Sequence, residues 1–236
     1  MWKIACIVSA TALVLAGSSG AWAQTPTGKV FLDVNVGAQA PSQTLETNAT
    51  LPLFGETASV AAVQTIGSAS IIDVRIGYRV TPPFAVAFAV SGRKDQSDAR
   101  AVASVPSPIL FGSPTILNLT TSGLNRREIG YHIEFVWFLP LSDKLELSVF
   151  GGPSFIHLQQ AVTAAAVTGQ TVSVSSTNET GTAAGANGGV DVTYLLSDRY
   201  GVGAFVRYAG GSLDFPSTSG VRVGGVQTGG GLRVRF

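Results

Sequence analysis

Eight segments of this chain alternate apolar and polar residues at a period of two, and that repetition limits the fold more than any other feature. In the first, residues 30–40, Val30, Leu32, Val34 and Val36 share one face while Asp33, Asn35 and Gln39 share the other. The second, near 69–80, sets Ile72, Val74, Ile76, Tyr78 and Val80 against Asp73, Arg75, Gly77 and Arg79. The third sets Phe84, Val86, Phe88 and Val90 against Ala85, Ala87, Ala89 and Ser91, and the fourth sets Ile129, Tyr131, Ile133, Phe135 and Trp137 against Glu128, Gly130, His132 and Glu134. In the fifth, Leu145, Leu147 and Val149 oppose Glu146 and Ser148; in the sixth, Val190, Val192, Tyr194 and Leu196 oppose Gly189, Asp191 and Thr193. The seventh opposes Val202, Ala204, Val206 and Tyr208 to Gly203, Phe205 and Arg207. The eighth ends the chain, with Leu232, Val234 and Phe236 on one face and Arg233 and Arg235 on the other. Each segment reads as a strand with one apolar and one polar face, and an even number of such strands can close into a barrel.

Connection lengths add direction. Those after the second, fourth and sixth segments are a few residues, whereas those after the first, third and fifth run to about 20 residues or more, rich in Ser, Thr, Ala and Gly. Short turns on one rim and long loops on the other match a transmembrane barrel. Alternation alone would also fit a soluble barrel turned inside out, and three features decide between them. The polar face carries many small residues, Gly77, Ala85, Ala87, Ala89, Gly130, Gly189 and Gly203, which suit a narrow interior. Its cations are arginines, the residue that satisfies several partners at once in an enclosed network. Tyr78, Phe84, Trp137, Tyr194 and Phe236 gather toward the short-turn rim, as a girdle at a membrane interface would.

At the other end, Lys3 precedes an apolar stretch from Ile4 to about Leu15, and Ala21 and Ala23 flank Trp22. This is the pattern of a secretory signal peptide over 1–23, cleaved after Ala23, leaving a barrel domain of 24–236. The lone Cys6 leaves with the signal, so the mature chain has no thiol or disulfide chemistry. A net charge of +1 gives no electrostatic argument for a nucleic-acid partner. No metal-ligand cluster, phosphate loop or nucleotide fingerprint points to a cofactor. Three sequons, at Asn48, Asn118 and Asn178, are taken as chance occurrences in Asn- and Thr-rich loops.

Together these features resemble the small eight-stranded outer-membrane barrels, the group containing the OmpA transmembrane domain, OmpX and OmpW. The resemblance covers the mature chain and is architectural, with no motif that selects one member. It implies an all-β, antiparallel, up-and-down barrel in a Gram-negative outer membrane, with outer-membrane lipid as its surroundings. It also implies that the barrel assembly machinery reads the last strand, so that Leu232, Val234 and Phe236 form an insertion signal as well as a lipid-facing edge. A monomer is expected, with any partner of the extracellular loops left open.

For function, the inner face predicts a charge network: Asp33, Asp73, Glu128, Glu134, Glu146 and Asp191 against Arg75, Arg79, Arg207, Arg233 and Arg235, with His132 among them. In a lumen just wide enough for side chains these pair off and plug the pore. A narrow gated channel, or an OmpW-like passive portal for small molecules, is the alternative. Catalysis would need an imidazole base, and only His132 and His157 are available. The first lies mid-strand among carboxylates, and the second has Gln159 where a deacylase would place serine, so no enzyme is expected. The apolar stretches 51–55 and 106–112 could extend hairpins, pack as a lid or present a binding surface.

Overall fold

A computed structural model describes residues 28–40, 44–168, 171–216 and 220–236, and every regular element among them is a strand. The ten strands are β1 (Val30–Gln39), β2 (Thr44–Leu53), β3 (Glu56–Thr65), β4 (Ala69–Thr81), β5 (Phe84–Val105), β6 (Thr115–Pro140), β7 (Leu145–Thr168), β8 (Thr171–Leu195), β9 (Tyr200–Leu213) and β10 (Val221–Arg235). Eight of them close a ring in the order β5-β4-β1-β10-β9-β8-β7-β6, with β6 returning to β5, and every pairing is antiparallel. Closure leaves no strand edge open to lipid, where an unpaired amide would have no water to bond.

The ring is closed to the last residue. Phe236 N donates to Val30 O at 2.8 Å, and Val30 N donates to Phe236 O at 3.3 Å. Asp33 then lies directly opposite Arg233 on β10 and Arg75 on β4, so register delivers opposite charges to the same height of the lumen. The faces fall as the alternation predicts. Ile72, Val74, Ile76, Phe88, Ile133 and Phe135 stand outward and exposed, while Asp33, Asp73, Arg75, Glu134 and Arg207 are buried inside. Tyr78, Trp137, Tyr194 and Phe236 remain exposed around the short-turn rim, and Phe84 stacks on Phe135 at 6.4 Å and meets Trp137 edge-on at 6.5 Å. The small inner residues leave room for large neighbours. A Cβ on Gly77 would stand 2.2 Å from the Phe31 ring, and one on Gly203 2.8 Å from Arg233 Nε.

The predicted long loops are where sequence and structure differ. The connections after the third and fifth segments are mostly strand: β5 and β6 remain paired to Val105 and Thr115, and β7 and β8 to Thr168 and Thr171. A strand of 24 residues such as β7 is roughly 80 Å long, far beyond the 9–11 residues that cross a bilayer, so these hairpins project well above the membrane. The first long connection contains an additional hairpin, β2–β3, which docks through β3 on the upper half of β5, Ser59 opposite Ser104 and Thr65 opposite Asp98. Its two-residue turn places Phe54 and Gly55 at φ of 53° and 78°, the left-handed pair that matches the twist of a tight hairpin. The expected signal peptide lies outside the described residues.

Candidate functional site in the barrel lumen

The lumen is built in layers. Nearest the short-turn rim is an aromatic floor of Phe31, Phe138 and Phe150 packed with Val136, Ala85 and Ala87. Phe31 and Phe138 meet edge to face at 5.6 Å. Arginines lie on this floor, with the Arg79 guanidinium 3.7 Å from the Phe138 ring centre, Arg75 5.0 Å from Phe150 and Arg235 5.1 Å from Phe31. Flat guanidinium groups can stack on rings while their edges still donate hydrogen bonds, which lysine cannot do.

Above the floor runs a continuous ionic layer. Arg79 pairs with Glu146 at 2.7 Å, and the other oxygen of Glu146 takes Arg235 at 3.0 Å. Arg235 reaches Asp33 at 3.4 Å, and Asp33 holds Arg75 at 2.7 Å. Arg75 approaches Glu134 at 3.5 Å, Glu134 holds Arg207 at 3.2 Å, and Arg207 holds Asp73 at 2.7 Å. Arg233 donates to both oxygens of Asp191 and, at 2.6 Å, to Asn35. Every residue of the predicted network is buried, and eleven of the twelve belong to this layer or to the upper pairs described next. His132 is the exception. Its ring lies between two hydroxyls, Ser91 Oγ at 3.0 Å and Ser154 Oγ at 2.8 Å, and Ser154 also accepts from Asn187 at 2.9 Å. It lies near the charges without pairing with a carboxylate.

Two further arginines and one acid complete the set. Arg126 donates to Glu128 at 2.7 Å, and Arg93 bonds Asp95 at 3.0 Å and stands 3.8 Å from Glu128. The inner set is therefore seven arginines and seven carboxylates among the described residues, where the sequence reading counts five against six. Arg93 lies one inward step beyond Ser91, and Arg126 one inward step before Glu128, so the inward parity of the alternating segments continues to both.

Glutamines join the ionic layer to these upper pairs. Arg207 Nε donates to Gln227 at 2.7 Å, Gln227 to Gln39 at 2.8 Å, and Gln39 to Glu128 at 3.1 Å. Arg126 donates to Gln160, Gln160 to Gln64 at 3.4 Å, and Gln64 to Ser97 at 2.8 Å. One chain of side-chain contacts thus runs from Arg79 near the floor to Ser97 near the top. An apolar cluster of Ile66, Ile156, Leu158, Ala183, Leu213, Phe215, Val221 and Val223 packs at the extracellular end. Between Glu128 and His132 lies a cavity of about 10 Å³, lined by Gln39, Ser91, Arg93 and Gln227 among others, room for about one water molecule.

Both ring nitrogens of His132 face hydroxyls, so no carboxylate orients it as a base toward either serine. His157 points to the outer wall and meets Thr182 Oγ1 at 3.0 Å. Among the described residues, no group of three or more His, Cys, Asp or Glu side chains is arranged to hold a metal ion. At the terminal strand, Leu232 and Phe236 are exposed on the outer wall and Val234 is half-buried between them.

Comparison with known proteins agrees with this architecture. A family model described as the outer membrane protein beta-barrel domain matches residues 9–236. Among solved structures, the outer membrane protein OprG from Pseudomonas aeruginosa superposes with a TM-score of 0.52 at 11% identity, covering 89% of this chain and 96% of that one. Neisserial surface protein A follows with a TM-score of 0.45 at 14% identity, covering 88% and 97%. Ail, the attachment invasion locus protein of Yersinia pestis, gives 0.43 at 10% identity, covering 87% and 98%. No curated protein matches the chain.

Proposed function

The chain belongs to the outer membrane protein beta-barrel domain family, and from that premise we propose that it is a non-enzymatic barrel whose lumen is closed by its own side chains. Its work then falls to the lipid-facing wall and the extracellular hairpins, as a structural or surface-interaction protein. The observation that carries this reading is the contact chain from Arg79 through Glu146, Asp33, Arg75, Glu134, Arg207, Gln227 and Glu128 to Arg126. A permeating solute would have to part several of these buried pairs at once. Leaving one charge without its partner costs about 3–5 kcal/mol, which makes spontaneous opening rare. The imidazoles are engaged by hydroxyls, His132 by Ser91 and Ser154 and His157 by Thr182, which supports a non-catalytic role.

Proteoliposomes loaded with a small sugar test the closed lumen. Those carrying the protein should release it no faster than empty vesicles. A protein-dependent efflux would replace this reading with the narrow passive channel.

The terminal strand supports a second part of the proposal, that Leu232, Val234 and Phe236 are read by the barrel assembly machinery before they face lipid. Phe236 also carries two of the backbone bonds that close the ring. Deleting Phe236 should lower the amount of protein in the outer membrane and leave unfolded precursor in the periplasm. Phe84→Ala removes the same ring from the same girdle; it should weaken the barrel by about 1.5–3 kcal/mol yet still reach the membrane. Equal assembly of the two variants would reduce Phe236 to a girdle residue. The mature protein is proposed to act as a monomer.

A further inference from the structure

The outer wall carries a charged feature that neither the fold nor the lumen explains. Lys94 on β5 and Arg127 on β6 are directly opposite each other in the antiparallel ladder, both outward and exposed. Opposed side chains start about 5 Å apart at Cβ, and like charges so placed repel. Neither has an acidic partner among the described residues. The neighbouring acids Asp95 and Glu128 point inward and bond Arg93 and Arg126, while Asp98, farther up β5, accepts from Gly123 N at 3.3 Å. The same register row continues through Gln159 on β7 to Thr180 on β8, both exposed and both able to donate. Four adjacent strands thus present a line of donors, two of them cationic, with no acceptor carboxylate in the row.

Height gives the row its meaning. Going up β6 from the girdle residue Trp137, the outward residues are Phe135, Ile133, Tyr131 and Ile129 before Arg127 is reached. Ten residues at about 3.4 Å, on strands tilted about 40°, rise roughly 26 Å, against an apolar band about 25 Å tall. Lys94 and Arg127 therefore stand where the hydrocarbon of the outer leaflet gives way to its headgroups. The outward residues Val36 and Ala38 of β1 and Ser70 and Ile72 of β4 carry no charge, so the row does not continue onto these two strands.

We propose that the row Lys94–Arg127–Gln159 binds the phosphate of a phosphorylated lipid in the outer leaflet. The Arg127 fork suits two phosphate oxygens at once and Lys94 supplies a point charge. An anion between them turns the repulsion into attraction, and the lipid's acyl chains would lie against Tyr131 and Phe88, which stack at 6.5 Å just below. This inference does not depend on whether the lumen is closed.

The test uses the whole barrel in phosphatidylcholine vesicles doped with bisphosphorylated lipid A or with its dephosphorylated form, and counts lipids retained after gentle detergent extraction by native mass spectrometry. Wild type should retain the phosphorylated form only. Lys94→Gln with Arg127→Gln should bind it about fivefold more weakly for each cation removed. Lys144→Gln with Arg199→Gln, at the short turns, should match wild type, and the charge-keeping exchange Lys94→Arg with Arg127→Lys should retain binding, which separates lost charge from lost folding. Equal retention by the Gln pair, or equal retention of the dephosphorylated lipid, would overturn the proposal. So would tight binding of inorganic phosphate that displaces the lipid, since the site would then be one for free anions.

Discussion

Strand β5 passes through two regions whose side chains follow opposite rules. In its lower half, Val86 and Phe88 face outward and the inner face runs Ala85, Ala87, Ala89, Ser91, Arg93. In its upper half, the outer face turns polar through Lys94, Gln96, Asp98 and Arg100, and the buried face becomes Ala99, Ala101, Ala103 and Val105. Ala101, Ala103 and Val105 pack with Val60, with Leu53, Leu117 and Leu119 against them, while Ala99 packs with Leu124 and Ala161. Not one charged residue occurs from 101 to 125. The same odd-numbered face of this strand stays buried throughout, and its chemistry changes because the surroundings change from lipid to water; at the transition the ladder to β6 is bulged between Ser97 and Ala99 and the other neighbour passes from β4 to β3. In lipid the charges must be inside and mutually satisfied; in water small apolar residues suffice for a core.

That contrast orders the expected effects of substitution. The largest belongs to the ionic layer. Arg207→Leu strips the partner from Asp73 and Glu134 and the donor from Gln227, and equilibrium unfolding of the reconstituted barrel should show a loss of about 3–5 kcal/mol. A loss near zero would mean that the pairs rearrange freely and that the layer is not the structural element described here.

Next comes the lipid-facing wall. Ile133, opposite Phe88 midway between Trp137 and Arg127, should cost about 2–4 kcal/mol when replaced by arginine. The smallest effect is expected of the same change on the same outward face above the boundary. Val102→Arg should move stability by no more than about 0.5 kcal/mol, because its side chain already stands in water. Comparable penalties at the two positions would place the membrane boundary elsewhere and dissolve the contrast.

The same physics explains what could be read from sequence. Strands that cross lipid must keep one face apolar throughout, so Ile72–Val80 or Ile129–Trp137 announce themselves by strict alternation. Hairpins that stand in water carry no such obligation. In β2, Thr44, Glu46, Asn48 and Thr50 alternate with Leu45, Thr47, Ala49 and Leu51, a weak contrast that reads as loop, and the Phe54–Gly55 turn lacks the Asn-Gly or Asp-Gly pair that marks a tight hairpin. Arg93, Arg126 and Gln227 are hidden for a related reason: their outward neighbours include Lys94, Arg127 and Thr228, so the alternation that marks an inner face fades around them. Phe31, Phe138 and Phe150 were legible by parity alone, yet an aromatic floor runs against the expectation that an inner face is polar. It exists because guanidinium groups lie on the rings.

The central claim is that a continuous side-chain network closes the lumen, and single-channel recording in a planar bilayer tests it most directly. The purified barrel should insert and give no steps above the membrane leak over the range of voltages the bilayer withstands, whereas the variant Arg75→Ala with Arg207→Ala, which removes the two cations between Asp33, Asp73 and Glu134, should flicker open. Steady, ion-selective conductance from the unaltered protein would contradict the account.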